Sequence, residues 1–168
     1  MESFKDKIKE LEEKVKTEPS AELYFRLGLL YKDFCENKKA EEAFEKALQI
    51  DAACFYTEAG DFFFNLQYYD EAERAYKKAL IKNHPKIHFK LANLYYNLKK
   101  YEEAEKEYKK TIEISPRHAE AHYFLGLTLI EVGKYKEALT YLEKALQLNP
   151  KLDGLHNYIK IAKTKLEA

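Results

Sequence analysis

An internal repeat constrains this 168-residue chain more than any other feature. Four short segments align: Leu27-Gly28-Leu29-Leu30-Tyr31, Ala59-Gly60-Asp61-Phe62-Phe63, Leu91-Ala92-Asn93-Leu94-Tyr95 and Leu125-Gly126-Leu127-Thr128-Leu129. In each, a small residue follows an apolar one and precedes a large one by three positions. A second set follows at a fixed offset: Ala40…Phe44…Ala47-Leu48, Ala72…Tyr76…Ala79-Leu80, Ala104…Tyr108…Thr111-Ile112 and Ala138…Leu142…Ala145-Leu146. The leading alanine recurs at separations of 32, 32 and 34, from 40 to 72, 72 to 104 and 104 to 138. Two patterns that share one period require a single supersecondary unit used four times, its apolar face buried by stacking on its neighbours.

The unit is helical. Tyr24, Leu27, Gly28 and Tyr31 fall at i, i+3, i+4 and i+7, one face of a helix. Glu-to-Lys pairs four apart, Glu102/Lys106 and Glu105/Lys109, mark the solvated side of the second helix. Only five glycines and four prolines interrupt a chain rich in Ala, Leu, Glu and Lys, a balance that favours helices almost throughout. Before the first unit, Phe4, Ile8, Leu11 and Val15 form an apolar stripe. After the last, Leu155, Ile159, Ala162 and Leu166 do the same, backed by Lys160, Lys163 and Lys165. Both read as capping helices, which a stack of repeats needs at its ends, and with both present the chain reads as complete.

The pattern resembles the tetratricopeptide repeat, a unit of about 34 residues with an aromatic-x-x-Leu-Gly-x-x-Tyr first helix and an Ala-x-x-x-Phe second helix. The fourth unit matches best, with His122, Leu125-Gly126, Leu129, Ala138, Leu142, Ala145 and Pro150 in register. The third carries Leu91-Ala92, Tyr95, Ala104, Tyr108 and Pro116. The first two run to 32 residues and have Ala52 and His84 where the closing proline would stand. Asn37 replaces the aromatic present at Tyr69, Tyr101 and Tyr135. Irregular turns are expected there. The resemblance implies an all-α fold, a right-handed superhelical α-solenoid forming a single domain. Its parts would be a capping helix over 2–18, repeats over 21–52, 53–84, 85–118 and 119–152, and a second capping helix over 153–168.

In this family the first helix of each hairpin lines a concave groove. The resemblance therefore implies a stripe of Phe25, Leu29 and Lys32, then Thr57, Asp61, Phe64 and Asn65. It continues with Phe89, Asn93, Tyr96 and Asn97, then Tyr123, Leu127, Ile130 and Glu131. The core has its own apolar residues, so Phe64, Phe89, Tyr96 and Tyr123 are a surplus, and an apolar surplus on a surface marks an interaction site. Such a groove would take an extended peptide or an amphipathic helix of a partner protein. Asn65, Asn93 and Asn97 would hydrogen-bond its backbone. The structural alternative is that the rings stack across adjacent units and close the superhelix. One subclass of the family grips a C-terminal carboxylate with lysine, asparagine and arginine. Here Phe25, Leu29, Asp61, Phe89 and Asn93 hold the matching positions, so that chemistry is not expected.

The remaining features narrow the function by class. His84/His88 and His118/His122 have the four-residue spacing of helical metal ligands, but their positions at repeat boundaries favour packing, with His88, His122 and His156 standing in for the first aromatic. No cofactor or metal is expected. No phosphate-binding glycine loop, Gly-x-Ser-x-Gly or His-Glu-x-x-His motif occurs, so an enzyme is not expected. Lys plus Arg equals Asp plus Glu, 29 each, which gives no general attraction to nucleic acid or anionic membrane. No apolar run approaches the ~20 residues that span a bilayer, and the N-terminus lacks the basic-then-apolar order of a signal peptide. A cytoplasmic location is the expectation, with Cys35 and Cys54 as reduced structural thiols. The reading is a protein-interaction scaffold. A self-associating homo-oligomer is the alternative, and an RNA-binding helical repeat comes behind both.

Overall fold

The computed structural model describes residues 4–81 and 86–167, and among them are ten α-helices and no strand. The chain divides into two compact units, Met1–His84 and Pro85–Ala168. In the first, α1 (Phe4–Thr17) is followed by two helical hairpins, α2 (Ala21–Asp33) with α3 (Asn37–Ile50) and α4 (Ala52–Asn65) with α5 (Tyr69–Ile81). In the second, hairpins α6 (Ile87–Asn97) with α7 (Tyr101–Ile114) and α8 (Ala119–Glu131) with α9 (Tyr135–Leu148) precede α10 (Leu155–Glu167). The all-α hairpin-repeat architecture is the one the sequence period predicts. His84, Pro85 and the Phe4 side chain, which figure in the sequence reading, lie outside the described residues.

Helix starts follow from local side-chain chemistry. Ser20 caps α2 by accepting the Leu23 N–H at 3.2 Å, and Asp51 caps α4 by accepting from Ala53 and Cys54 at 2.9 and 3.0 Å. His118 caps α8 through Nδ1, 3.2 Å from the Ala121 N–H. Each satisfies a backbone donor that the first turn leaves unpaired. Asp51 also closes α3, its own N–H donating to Ala47 O. One residue therefore joins the first two hairpins, where the corresponding link in the second unit spans Ser115 to His118. The irregular turn expected from the missing proline is this compressed joint.

The four hairpin turns are built alike. Cys35, Gln67, Lys99 and Gly133 all have positive φ, between 56° and 75°. In each turn the residue after it donates back across the last helical turn, Glu36 to Tyr31, Tyr68 to Phe63, Lys100 to Tyr95 and Lys134 to Leu129. A left-handed residue at this position ends a helix by satisfying its last carbonyls. Only the fourth turn uses glycine, which adopts that conformation without strain.

Within each hairpin the small residue of the first helix receives a large side chain of the second. A Cβ added to Gly28 would meet the Phe44 ring, one on Gly60 the Tyr76 ring, and one on Gly126 the Leu142 side chain, all closer than 3.0 Å. The alanines Ala40, Ala72, Ala104 and Ala138 of the second helices are buried as well. The terminal helices close the ends of their own units. Ile8 and Val15 of α1 pack with Leu27, Tyr31 and Ala43, and the Tyr31 hydroxyl donates to Glu12 at 2.5 Å. At the other end, Leu155 of α10 packs with Leu142 and Ala145. No helix among the described residues is long and apolar enough to cross a membrane.

Two stability changes of opposite sign follow. Gly60→Ala gains helix propensity but collides with a ring that is buried and tethered by its hydroxyl, so denaturant unfolding should show a net loss of about 1–3 kcal/mol. Lys99→Gly removes a left-handed lysine and should raise stability by about 1 kcal/mol in the same assay.

Candidate functional site

The first helices of the hairpins carry the candidate stripe, and each unit presents it differently. In the first unit the stripe of α2 is covered. Phe25 is only 5% exposed, its ring 5.5 Å from both Phe44 and Phe55. Leu29 packs in the same cluster, with Ala59 and Phe62. The cause lies in α4, which holds five aromatic residues within its 14 positions and lays that surface on α2 as well as α3. Phe25 is therefore a core residue here, a correction to the open-groove reading. Thr57 is buried and donates to Ala53 O at 2.8 Å. Phe64 lies against the Tyr69 ring at 5.8 Å, and Asn65 is exposed.

The two hairpins of the first unit do not close completely. Between them remains a cavity of about 360 Å³, walled by Phe25, Leu29, Phe44, Phe55, Phe62 and Phe63, with Ala59 and Ala75 among them. Lys32, Glu71, Arg74 and Lys78 stand at its edge. Lys78 lies over the Tyr56 ring at 5.2 Å, a cation–π contact repeated one hairpin earlier by Lys46 over Tyr24 at 5.5 Å.

In the second unit the rings of α6 and α8 are half-buried against one another. Phe89 touches His118 at 4.6 Å, Tyr108 at 6.0 Å and Phe124 at 6.2 Å. Phe124 lies parallel to Tyr108, with 11° between the ring planes. Tyr96 meets Tyr101 and Phe124. Tyr123 meets Phe124 and Tyr158, and its hydroxyl donates to Asp153 O at 3.0 Å. Burial, aided by the Glu131 charge, pushes the Tyr96 hydroxyl up to about 12. Ile130 packs at the edge of the α8–α9–α10 core. Leu127 is 6% exposed and so belongs to the core, a second correction to the open stripe. Asn97 and Glu131 are exposed.

The polar stripe residues have structural partners. Asp61 accepts the Tyr76 hydroxyl at 2.6 Å, and Asn93 accepts the Tyr108 hydroxyl at 2.7 Å, each pair 15 residues apart. The same two positions in the first and fourth hairpins hold Leu29 with Phe44 and Leu127 with Leu142. A tyrosine in the slot is thus matched by an acceptor, and an apolar residue by leucine, because a buried hydroxyl needs a partner. Burial and the Asp61 carboxylate hold the Tyr76 hydroxyl well above its ordinary range. Asn97 donates to Asn93 O at 2.8 Å. Of the three asparagines expected to reach a ligand, only Asn65 has neither of these tasks.

Three of the described histidines, His88, His118 and His122, serve packing and capping. His88 Nδ1 donates to Glu107 at 2.6 Å, and Lys110 contacts the other oxygen of that carboxylate at 3.2 Å. His122 is buried and donates through Nε2 to Pro116 O at 2.9 Å. His118 is the cap of α8, and His156 is exposed rather than packed. Among the described residues no group of three or more His, Cys, Asp or Glu could hold a metal ion.

Sequence reasoning missed Phe55, Phe62, Phe63, Arg74 and Lys78 as site residues. The available signal was the density of rings in α4, more than one hairpin core consumes.

Exchanging the third-hairpin pair for the first-hairpin pair tests the matching. Asn93→Leu alone leaves the Tyr108 hydroxyl buried without a partner and should cost about 1–3 kcal/mol. Adding Tyr108→Phe should restore most of that loss in a double-mutant cycle.

Comparison with known proteins gives a consistent answer. A sequence profile described as tetratricopeptide repeat matches residues 85–151, and a second of the same description matches 21–54 and 55–80. A search of curated protein sequences returned no match. Among solved structures, MamA is 27% identical over 88% of this chain and 90% of its own, with a TM-score of 0.66. YrrB, described as a TPR protein with an unusual peptide-binding site, is 22% identical over 99% of this chain and 84% of its own, with a TM-score of 0.68. The first TPR of Spaghetti (RPAP3), solved bound to an HSP90 peptide, is 24% identical over 69% of this chain and 94% of its own, with a TM-score of 0.66.

Proposed function

Because this chain belongs to the tetratricopeptide-repeat family, we propose that it is a protein-interaction scaffold holding a segment of a partner protein against the first helices of its hairpins. The observation that carries this reading is the half-buried ring surface of α6 and α8, where Phe89, Tyr96, Tyr123 and Phe124 contact one another. Partly covered aromatic rings offer large apolar area at small entropic cost, as binding hot spots do. Exposed Asn97 and Glu131 beside them supply the polar rim that protein interfaces show.

The test uses exposed positions on this face, outside the packed core. Asn97→Arg/Glu131→Arg adds two bulky cations at exposed sites and should leave the circular dichroism spectrum and the melting temperature unchanged. A partner captured from native extract by the original chain should be lost, or retained at least tenfold more weakly, by this variant. Equal retention would remove the α6–α8 face from the interface.

A further inference from the structure

We propose that the cavity between the two hairpins of the first unit seats a bulky apolar side chain, preferably aromatic, from a protein segment whose flanking residues are acidic. This deepens the scaffold reading and rests on it, naming a second contact point and the chemistry it selects.

The shape argument comes from the walls. Phe25, Phe55, Phe62 and Phe63 line the space, and Phe25, Phe44 and Phe55 brace one another at 5.5–6.2 Å. Rings locked in tilted and edge-on contacts cannot swing inward to fill the gap, and Ala59 and Ala75 are too short to reach across it. The resulting volume of about 360 Å³ falls within the range of pockets that bury a compact ligand. Water in such a space finds few polar partners, so an apolar group is the fitting occupant.

The charge argument comes from the edge. Three cations, Lys32, Arg74 and Lys78, accompany one carboxylate, Glu71, in a chain whose charges balance overall at 29 each. Among the described residues no hydrogen bond or ion pair engages the Lys32 or Arg74 side chain. Lys78 rests on the Tyr56 ring. An apolar anchor with glutamate or aspartate on either side would place carboxylates at these cations, and a basic segment would be repelled. Rings beside cations also suit a stacked nucleobase with its phosphate. The carboxylate at the edge and the compact apolar cavity, rather than a track of rings and cations, favour a peptide.

The absence of tryptophan from the chain makes the test clean. The probe is a blocked pentapeptide with tryptophan between two glutamates on each side, titrated with the full chain while its emission is followed. A saturable blue shift is expected, weakened severalfold by raising the salt from low to physiological. A matching peptide with lysines in place of the glutamates should bind at least tenfold more weakly. Lys32→Glu/Arg74→Glu changes two exposed residues, leaves the core untouched, and should reverse the preference between the two peptides. Ala59→Phe fills the cavity and should abolish the shift with both. If both peptides bind alike, or the charge-reversed variant keeps the original preference, the proposal is wrong. Tighter binding of oligouridine than of the acidic peptide would also overturn it. The Asn97→Arg/Glu131→Arg variant should bind the acidic peptide as the original chain does. If the acidic peptide fails while that variant still loses the captured partner, only the cavity proposal falls.

Discussion

Everything in this structure depends on the contact between a residue with almost no side chain on one helix and a large side chain on its antiparallel partner. Gly28 beneath Phe44, Gly60 beneath Tyr76 and Gly126 beneath Leu142 leave no room for even one methyl group. That closeness fixes the depth at which the two helices of a hairpin meet. It also fixes which side chains of the first helix turn toward the neighbouring hairpin. Interiors packed at crystal-like density transmit such a constraint without slack, so the rings left over after the contact is made determine what surface each hairpin offers.

The consequences diverge between the two units. In the first, α4 is so rich in rings that it covers Phe25 and packs on Leu29, leaving an open apolar cavity with a basic edge. In the second, Phe124 of α8 lies flat on Tyr108 and meets Phe89 and Tyr96, leaving the rings half-buried along α6 and α8. The same repeat therefore yields an open apolar cavity in one place and a ring-faced surface in another. Both arise from differences at positions flanking the recurring contact, which is how a repeat can keep its fold while its surface chemistry changes.

Much of the architecture was legible because a helix imposes a fixed angular step. The period of the alanines and the i, i+3, i+4, i+7 spacing marked the four hairpins, and the absence of proline at Ala52 pointed to an irregular turn where Asp51 alone joins α3 to α4. The same step fixes which face a residue occupies but not how far the next hairpin leans over it. For that reason Phe25 and Leu127, correctly placed beside the core face, could not be recognised as buried. The pairing of Asp61 with Tyr76 and Asn93 with Tyr108 could have been read in advance. Across the four hairpins an acceptor accompanies tyrosine and leucine accompanies an apolar residue. Reading those two as ligand contacts overlooked a hydroxyl that had to be satisfied within the fold.

The most direct measurement is hydrogen–deuterium exchange on the full chain, alone and bound to the partner that it captures. Contact through the ring surfaces of the first helices should slow exchange in side-chain-facing segments of α2, α4, α6 or α8, and in the edge of α5 that carries Arg74 and Lys78. Protection confined to the solvated faces of α3, α7 and α9, with those first helices unchanged, would contradict the account.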